Sequence, residues 1–183
     1  MFHTIFFEGG NVANWNVALN WLLDSEDPLR AYKVVPDAPP GAFAVSGVNS
    51  AKWPQDFDAI SKLMISERGV AVQAFYYKNF WNNWFAQITS DDVAKRVCDF
   101  GVNAGERTSV RCLQQAVNSF HVGNPLATDG EWGPATLAAV NAVNPLTLVA
   151  AFQQTRCTHY ECIAAKNPAD ARYLAGWLAR ARK

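Results

Sequence analysis

Apolar residues return every three or four positions through most of the chain, the period of a helix with one buried face. Over residues 12–23 the apolar positions include Trp15, Leu19, Leu22 and Leu23, and a helix is expected there. From Pro54 the pattern is helical almost to the end. Phe57, Ile60, Leu63 and Met64 form one stripe, and Val72, Phe75, Tyr76, Phe80, Trp81 and Trp84 form a second, aromatic one. Thr89 or Ser90 ahead of Asp91 and Asp92 marks a helix start, because a hydroxyl caps free amides and carboxylates suit the positive end of the dipole. That helix holds Val93, Val97 and Phe100 and stops near Gly101 to Gly105. The next runs over residues 107–120 with Val110, Leu113, Val117 and Phe120 inward. Pro134, Pro145 and Pro168 each stand where a helix can begin. The pattern breaks in two places. Residues 3–7 are a short apolar segment broken by Gly9-Gly10, and residues 36–41, rich in proline, read as an irregular loop. Residues 42–48 can pair locally. The fold class is therefore mainly α, with a small β-ribbon near residues 42–48.

Composition adds bounds. The chain of 183 residues is 50% hydrophobic, enough for a core without disulfide or metal staples. Sixteen basic residues balance sixteen acidic ones, so nothing in the charge suggests nucleic acid as a partner. No stretch approaches the roughly 20 apolar residues of a membrane span. The four cysteines, at 98, 112, 157 and 162, lack CxxC spacing, and the three histidines are scattered. Reduced thiols and no metal or other cofactor are expected. Seven Trp and eleven Phe are many for this length; most will be core, and some can line a sugar-binding groove. With no basic start and no long apolar run near residue 1, an ordinary signal peptide is not expected.

Hydrolysis of a glycosidic bond needs a carboxylic acid that stays protonated, set by apolar surroundings, and a second group that steadies or attacks the cation-like transition state. Glu8 follows Ile5, Phe6 and Phe7 and precedes two glycines that let backbone or ligand come close. Asp24, Glu26, Asp27 and Asp37 are candidate partners. Asp24-Ser25-Glu26-Asp27 before Pro28 reads as a solvated turn, which favours Asp37 in the proline-rich loop. Ser46, in Ser46-Gly47-Val48, can position a water or simply turn the chain. No Gly-x-Ser-x-Gly elbow, phosphate-cradling Gly-Lys-Ser/Thr loop or HExxH pair is present.

Several stretches occur in a fixed order: Glu8-Gly9-Gly10, then Asp99-Phe100-Gly101-Val102-Asn103-Ala104-Gly105, Leu113-Gln114, Asp129-Gly130-Glu131-Trp132-Gly133-Pro134-Ala135-Thr136, Arg156, and Gly176-Trp177-Leu178-Ala179-Arg180. In this order they resemble glycoside hydrolase family 108, the phage and bacterial N-acetylmuramidases with a C-terminal predicted peptidoglycan-binding part. The resemblance is clearest from about Phe75 onward. It implies a lysozyme-like helical fold, with a catalytic lobe over residues 1–84 and a peptidoglycan-binding lobe over residues 85–183, packed as one unit. It also implies hydrolysis of the β-1,4 bond between N-acetylmuramic acid and N-acetylglucosamine, with Glu8 as general acid and Asp37 or Ser46 assisting. Gly9, Gly10, Tyr76, Trp81, Asn103 and Trp132 are then expected at the substrate, and His121 is a further exposed candidate. The partner is the glycan strand of peptidoglycan, and a monomer is expected. Synthesis in the cytoplasm and action at the cell wall or periplasm, after holin- or secretion-system-dependent export, follow from the same reading. The family's loop after the glutamate finds its nearest equivalent at residues 37–48, later than usual, as though residues 18–35 were enlarged. Two alternatives stand beside the enzyme: a non-catalytic or weakly active peptidoglycan-binding protein, and a helical secretion accessory or interaction protein.

Overall fold

A computed structural model describes residues 12–121 and 123–183. Glu8, Gly9 and Gly10 lie outside the described residues. Helix α1 spans Trp15–Glu26. It starts where the Asn14 side chain accepts from the Asn16 amide and ends where the Asp27 amide donates to the Leu23 carbonyl at 2.8 Å. Pro28 disfavours helical backbone at Asp27, so the helix stops there rather than at Leu23. Leu19, Leu22 and Leu23 are buried one turn apart. A fully buried leucine contributes about 2 kcal/mol, so this face anchors the helix end firmly.

Three short antiparallel strands follow: β1 Val34–Asp37, β2 Ala42–Val45 and β3 Val48–Asn49, in that order across the sheet. The register pairs Val34 with Val45 and Asp37 with Ala42, then Val45 with Val48. The ribbon expected at residues 42–48 is thus present but larger. Its extra strand corrects the expectation of a wholly irregular loop over residues 36–41, because Pro36 and Asp37 belong to β1. Proline is tolerated there because β1 is an edge strand among the described residues, with no described neighbour on its outer side to need the missing N–H.

The rest is helical: α2 Pro54–Ser61, α3 Ile65–Phe80, α4 Asn83–Ala86, α5 Asp91–Ala104, α6 Glu106–Asn118, α7 Pro134–Ala142, α8 Pro145–Lys166 and, after a 3-10 segment Pro168–Tyr173, α9 Leu174–Ala181. The mainly α class is as the periodicity predicts. Ser90 caps α5 through its side chain. Met64, expected in the inward stripe, is instead 67% exposed. The chain breaks between α2 and α3, and the helical phase restarts at Ile65.

Helix α5 packs against α1 on one side and α6 and α8 on the other, while α9 packs on α8. Two cores result. The smaller joins Leu19, Leu22 and Leu23 to Val45, Val48, Ile60, Val72, Phe75 and Tyr76. The larger gathers α5 to α9 and also takes in Ala13, Ala18 and Trp81. Trp15 and Phe80 border both. Among the described residues, no single helix is long and apolar enough to cross a membrane. The four thiols are unpaired, with Cys98, Cys112 and Cys157 buried and Cys162 exposed.

Candidate functional site

The carboxyl end of α1 meets the hairpin of β2 and β3 at a cleft of about 210 Å³, lined by Glu26, Asp27, Leu29, Lys33, Val35 and Ser46. Glu26 is the last residue of α1, one turn beyond buried Leu22 and Leu23. Its Oε1 accepts from Arg180 Nη2 at 2.8 Å, with the two side chains only 19% and 17% exposed. This corrects the expectation that residues 24–27 form a solvated turn. Glu26 is drawn inward by a cation that the local sequence does not show.

That cation belongs to a buried network. Arg180, on α9, also donates from Nη2 to Asp99 Oδ1 at 2.8 Å and from Nε to the same oxygen at 3.2 Å. Asp99 Oδ2 accepts from Arg156 Nη2 at 3.3 Å. Asp99 and Arg156 are almost wholly buried. The Arg156 guanidinium lies over the rings of Phe100 and Phe152, at 5.2 and 5.6 Å, a favourable arrangement for a desolvated cation. Its Nε and Nη1 have no hydrogen-bond partner among the described residues. Burial works against the charge on Arg180, but Asp99 and Glu26 outweigh it and hold the guanidinium more firmly protonated than usual. Two cations and two carboxylates thus face one another across α1, α5, α8 and α9.

The hairpin is fixed to the α1 end by Asp27. Its Oδ2 accepts from Ser46 Oγ at 2.7 Å and from the Tyr32 amide at 2.8 Å, and its Oδ1 accepts from the Ala31 amide at 3.0 Å. Partial burial pushes the Asp27 pKa up. The bonds from Ser46 and the two amides, with the charge of Arg30, outweigh this and leave it below the ordinary value. A carboxyl with a lowered folded pKa stabilises the fold above its unfolded value, near 4, and that contribution is lost as pH falls through the folded value. Ser46→Ala is therefore expected to cost about 1–2 kcal/mol at neutral pH, and the gap in melting temperature from wild type should narrow below about pH 4. Melting curves between pH 2.5 and 7 check this; a gap that does not change with pH refutes it.

Gly47 brings the hairpin close to the glutamate. Its φ is +83°, and a Cβ there would stand 2.5 Å from the Tyr76 hydroxyl oxygen and 2.6 Å from Glu26 Oε2. The Tyr76 hydroxyl donates to the Ser46 carbonyl at 2.8 Å from beneath. Gly47→Ala is expected to destabilise by about 2–4 kcal/mol, from left-handed backbone strain and overpacking, and to push the Glu26 carboxyl aside. Thermal melting checks the first effect.

Residues 108–182 match the family described as Predicted Peptidoglycan domain. This segment supplies Arg156 and Arg180 to the network. No curated protein matches the chain. A solved structure from Brucella abortus, "Structure of Brucella abortus SagA", is similar over 92% of this chain and 96% of that chain, with a TM-score of 0.58 and 19% identity. The two chains share a fold.

The expected site residues disperse over the structure. Ser46 is at the cleft. Asp37 is exposed at the end of β1, accepts from Asn49 Nδ2 at 2.8 Å and does not line the cleft. Tyr76 and Trp81, expected at the substrate, are buried: the aromatic stripe of α3 faces the core because each ring packs on others, Tyr76 against Phe75 and Trp81 against Trp15 and Phe85. Asn103, exposed on α5, accepts from the Tyr160 hydroxyl, whose pKa burial pushes up to about 12. Trp132 is half-buried beside α4, and His121 is exposed. No three His, Cys, Asp or Glu side chains gather at metal-binding distance among the described residues. The residues that sequence reasoning did not assemble are Glu26, Asp99 and Arg180. The available signal was a glutamate closing an amphipathic helix just before Asp27-Pro28.

Proposed function

We propose that this protein binds peptidoglycan and hydrolyses its glycan strands as a muramidase, with Glu26 as the acid. One observation carries this reading: Glu26 sits at the end of a firmly packed helix, in a cleft closed by a hairpin. It does so in a chain whose C-terminal segment is similar to a peptidoglycan domain. The geometry also gives an account of the late loop. Counted from Glu8, residues 18–35 look like an enlargement; counted from Glu26, residues 18–26 are simply the rest of α1, residues 27–33 are a connecting loop, and β1 then leads into the hairpin.

In this reading Glu26 carries a proton on Oε2, the oxygen facing Gly47 and away from Arg180, once a bound glycan strand displaces water from the cleft, and delivers it to the glycosidic oxygen. Arg180, on Oε1, stabilises the carboxylate left behind. Asp27 stays ionised beside it and favours positive charge developing on the sugar. Ser46 Oγ donates its hydrogen bond to Asp27 and keeps a lone pair free to accept from a water.

Purified sacculi, incubated with wild type and with the Glu26→Gln and Glu8→Gln variants, test the proposal through new reducing ends and pelleted protein. Release by wild type and by Glu8→Gln, lost only in Glu26→Gln, supports it. Release lost only in Glu8→Gln moves the acid to Glu8. Pelleting without release by wild type leaves a non-catalytic wall-binding protein, and neither activity removes peptidoglycan as the ligand.

A further inference from the structure

A second cavity, of about 390 Å³, shares no residue with the Glu26 cleft and is lined by Trp84, Glu106, Arg107, Gly130, Glu131 and Trp132. Its volume is in the range of ligand pockets. The indole planes of Trp84 and Trp132 lie 8° from parallel with centroids 6.4 Å apart, and Trp132 packs edge-on against buried Phe85 at 5.6 Å. The Trp132 Nε1–H is buried and has no acceptor among the described residues. A buried indole N–H normally has one, so this donor is an unmet polar group in the cavity wall.

The wall opposite is rigid. Wholly buried Gln114 donates from Nε2 to Asp129 Oδ1 at 3.0 Å and to the Glu131 carbonyl at 3.1 Å, and its Oε1 accepts from the Gly130 amide at 2.9 Å. At Gly130 a Cβ would stand 2.4 Å from the Arg107 carbonyl, so the turn is pressed onto α6. The Arg107 side chain, itself exposed, reaches the Asp129 carbonyl at 3.1 Å and Glu131 at 3.4 Å.

We propose that this cavity is a second carbohydrate site that takes an N-acetylated pyranose of the glycan strand, apart from the cleft where hydrolysis would occur. A pyranose offers one flat C–H face to an indole and carries hydroxyls at its edge. Hydroxyls donate to Glu106 and Glu131, and exposed Arg107 donates to the acetamido carbonyl. Two carboxylates to one guanidinium at the rim disfavour a phosphate-bearing ligand of similar shape. The proposal rests on the peptidoglycan reading only for the identity of the glycan, and not on Glu26.

Tri-N-acetylchitotriose, titrated into 15N-labelled protein, tests it through the Trp132 indole resonance and the binding isotherm read from it. Wild type and Glu26→Gln are expected to bind alike. Trp84→Ala is expected to bind at least tenfold more weakly, Arg107→Gln several-fold more weakly, and Trp84→Phe to recover most of the affinity. Melting curves of the four variants separate lost binding from lost fold, and Arg107→Gln changes an exposed side chain. A Trp132 resonance unmoved by the sugar in wild type overturns the proposal. So does unchanged affinity in both Trp84→Ala and Arg107→Gln. Chitotriose binding by a protein that fails to pellet with sacculi removes peptidoglycan but keeps the sugar site; pelleting with an unmoved Trp132 resonance does the reverse.

Discussion

A Glu26→Gln variant is expected to release reducing ends from peptidoglycan at least about a hundredfold more slowly than wild type, while still pelleting with it. Removal of a general acid costs on the order of 10²–10⁴ in rate. Glutamine keeps the size of the side chain, and its amide oxygen can still accept from Arg180, which retains Asp99 as a counter-charge. The substitution therefore removes the proton without emptying the site. Initial rates on purified sacculi give the ratio, and a melting temperature close to wild type shows that the loss is chemical. Activity within tenfold of wild type would exclude Glu26 as the acid. Glu8→Gln is expected to stay near the wild-type rate in the same assay.

The second large effect is on stability. Asp99→Asn is expected to destabilise the protein by about 3–5 kcal/mol, because breaking one side of a buried ion pair leaves an uncompensated charge. For a chain of this size that lowers the melting temperature by about 6–20 °C. Arg156 suffers most. It is fully buried, Asp99 is its sole carboxylate partner among the described residues, and two of its nitrogens already lack an acceptor. Arg180 keeps Glu26. This asymmetry makes a second variant informative. Asp99→Asn combined with Arg156→Met replaces the stranded guanidinium by an apolar chain between Phe100 and Phe152, and should recover part of the lost stability. Calorimetry of both single variants and the double variant closes the cycle; a double variant less stable than Asp99→Asn alone refutes the account.

Much of the helical framework was legible because its signals are local. Ser90 with Asp91 and Asp92 marks the start of α5, and Pro134 and Pro145 mark α7 and α8, each within a few residues of the apolar face it introduces. Strand β1 was not legible, since Pro36 argues against a strand unless its edge position is already known. The aromatic run at 75–84 was legible as a stripe but not as a core, because periodicity shows that residues share a face and not what covers it. The candidate site was least legible of all. Ser46 could be singled out from its turn. Glu26 could not be separated from Asp24 and Asp27, since what distinguishes it is a contact with Arg180 that only the docking of α9 on α8 creates. Asp99 lay inside a motif already noted, with nothing nearby to show that it holds two guanidinium groups apart.

The Glu26–Arg180 pair joins residues 154 positions apart. A ribosome adding about 5–20 residues each second needs about 8–30 s to travel from one to the other. Once Asp99 has been made, the nascent protein has its cleft glutamate, its hairpin and Asp99, but not the cation that holds the two carboxylates in place. The site is therefore incomplete in each newly made copy until α9 has been made and has carried Arg180 back to Glu26.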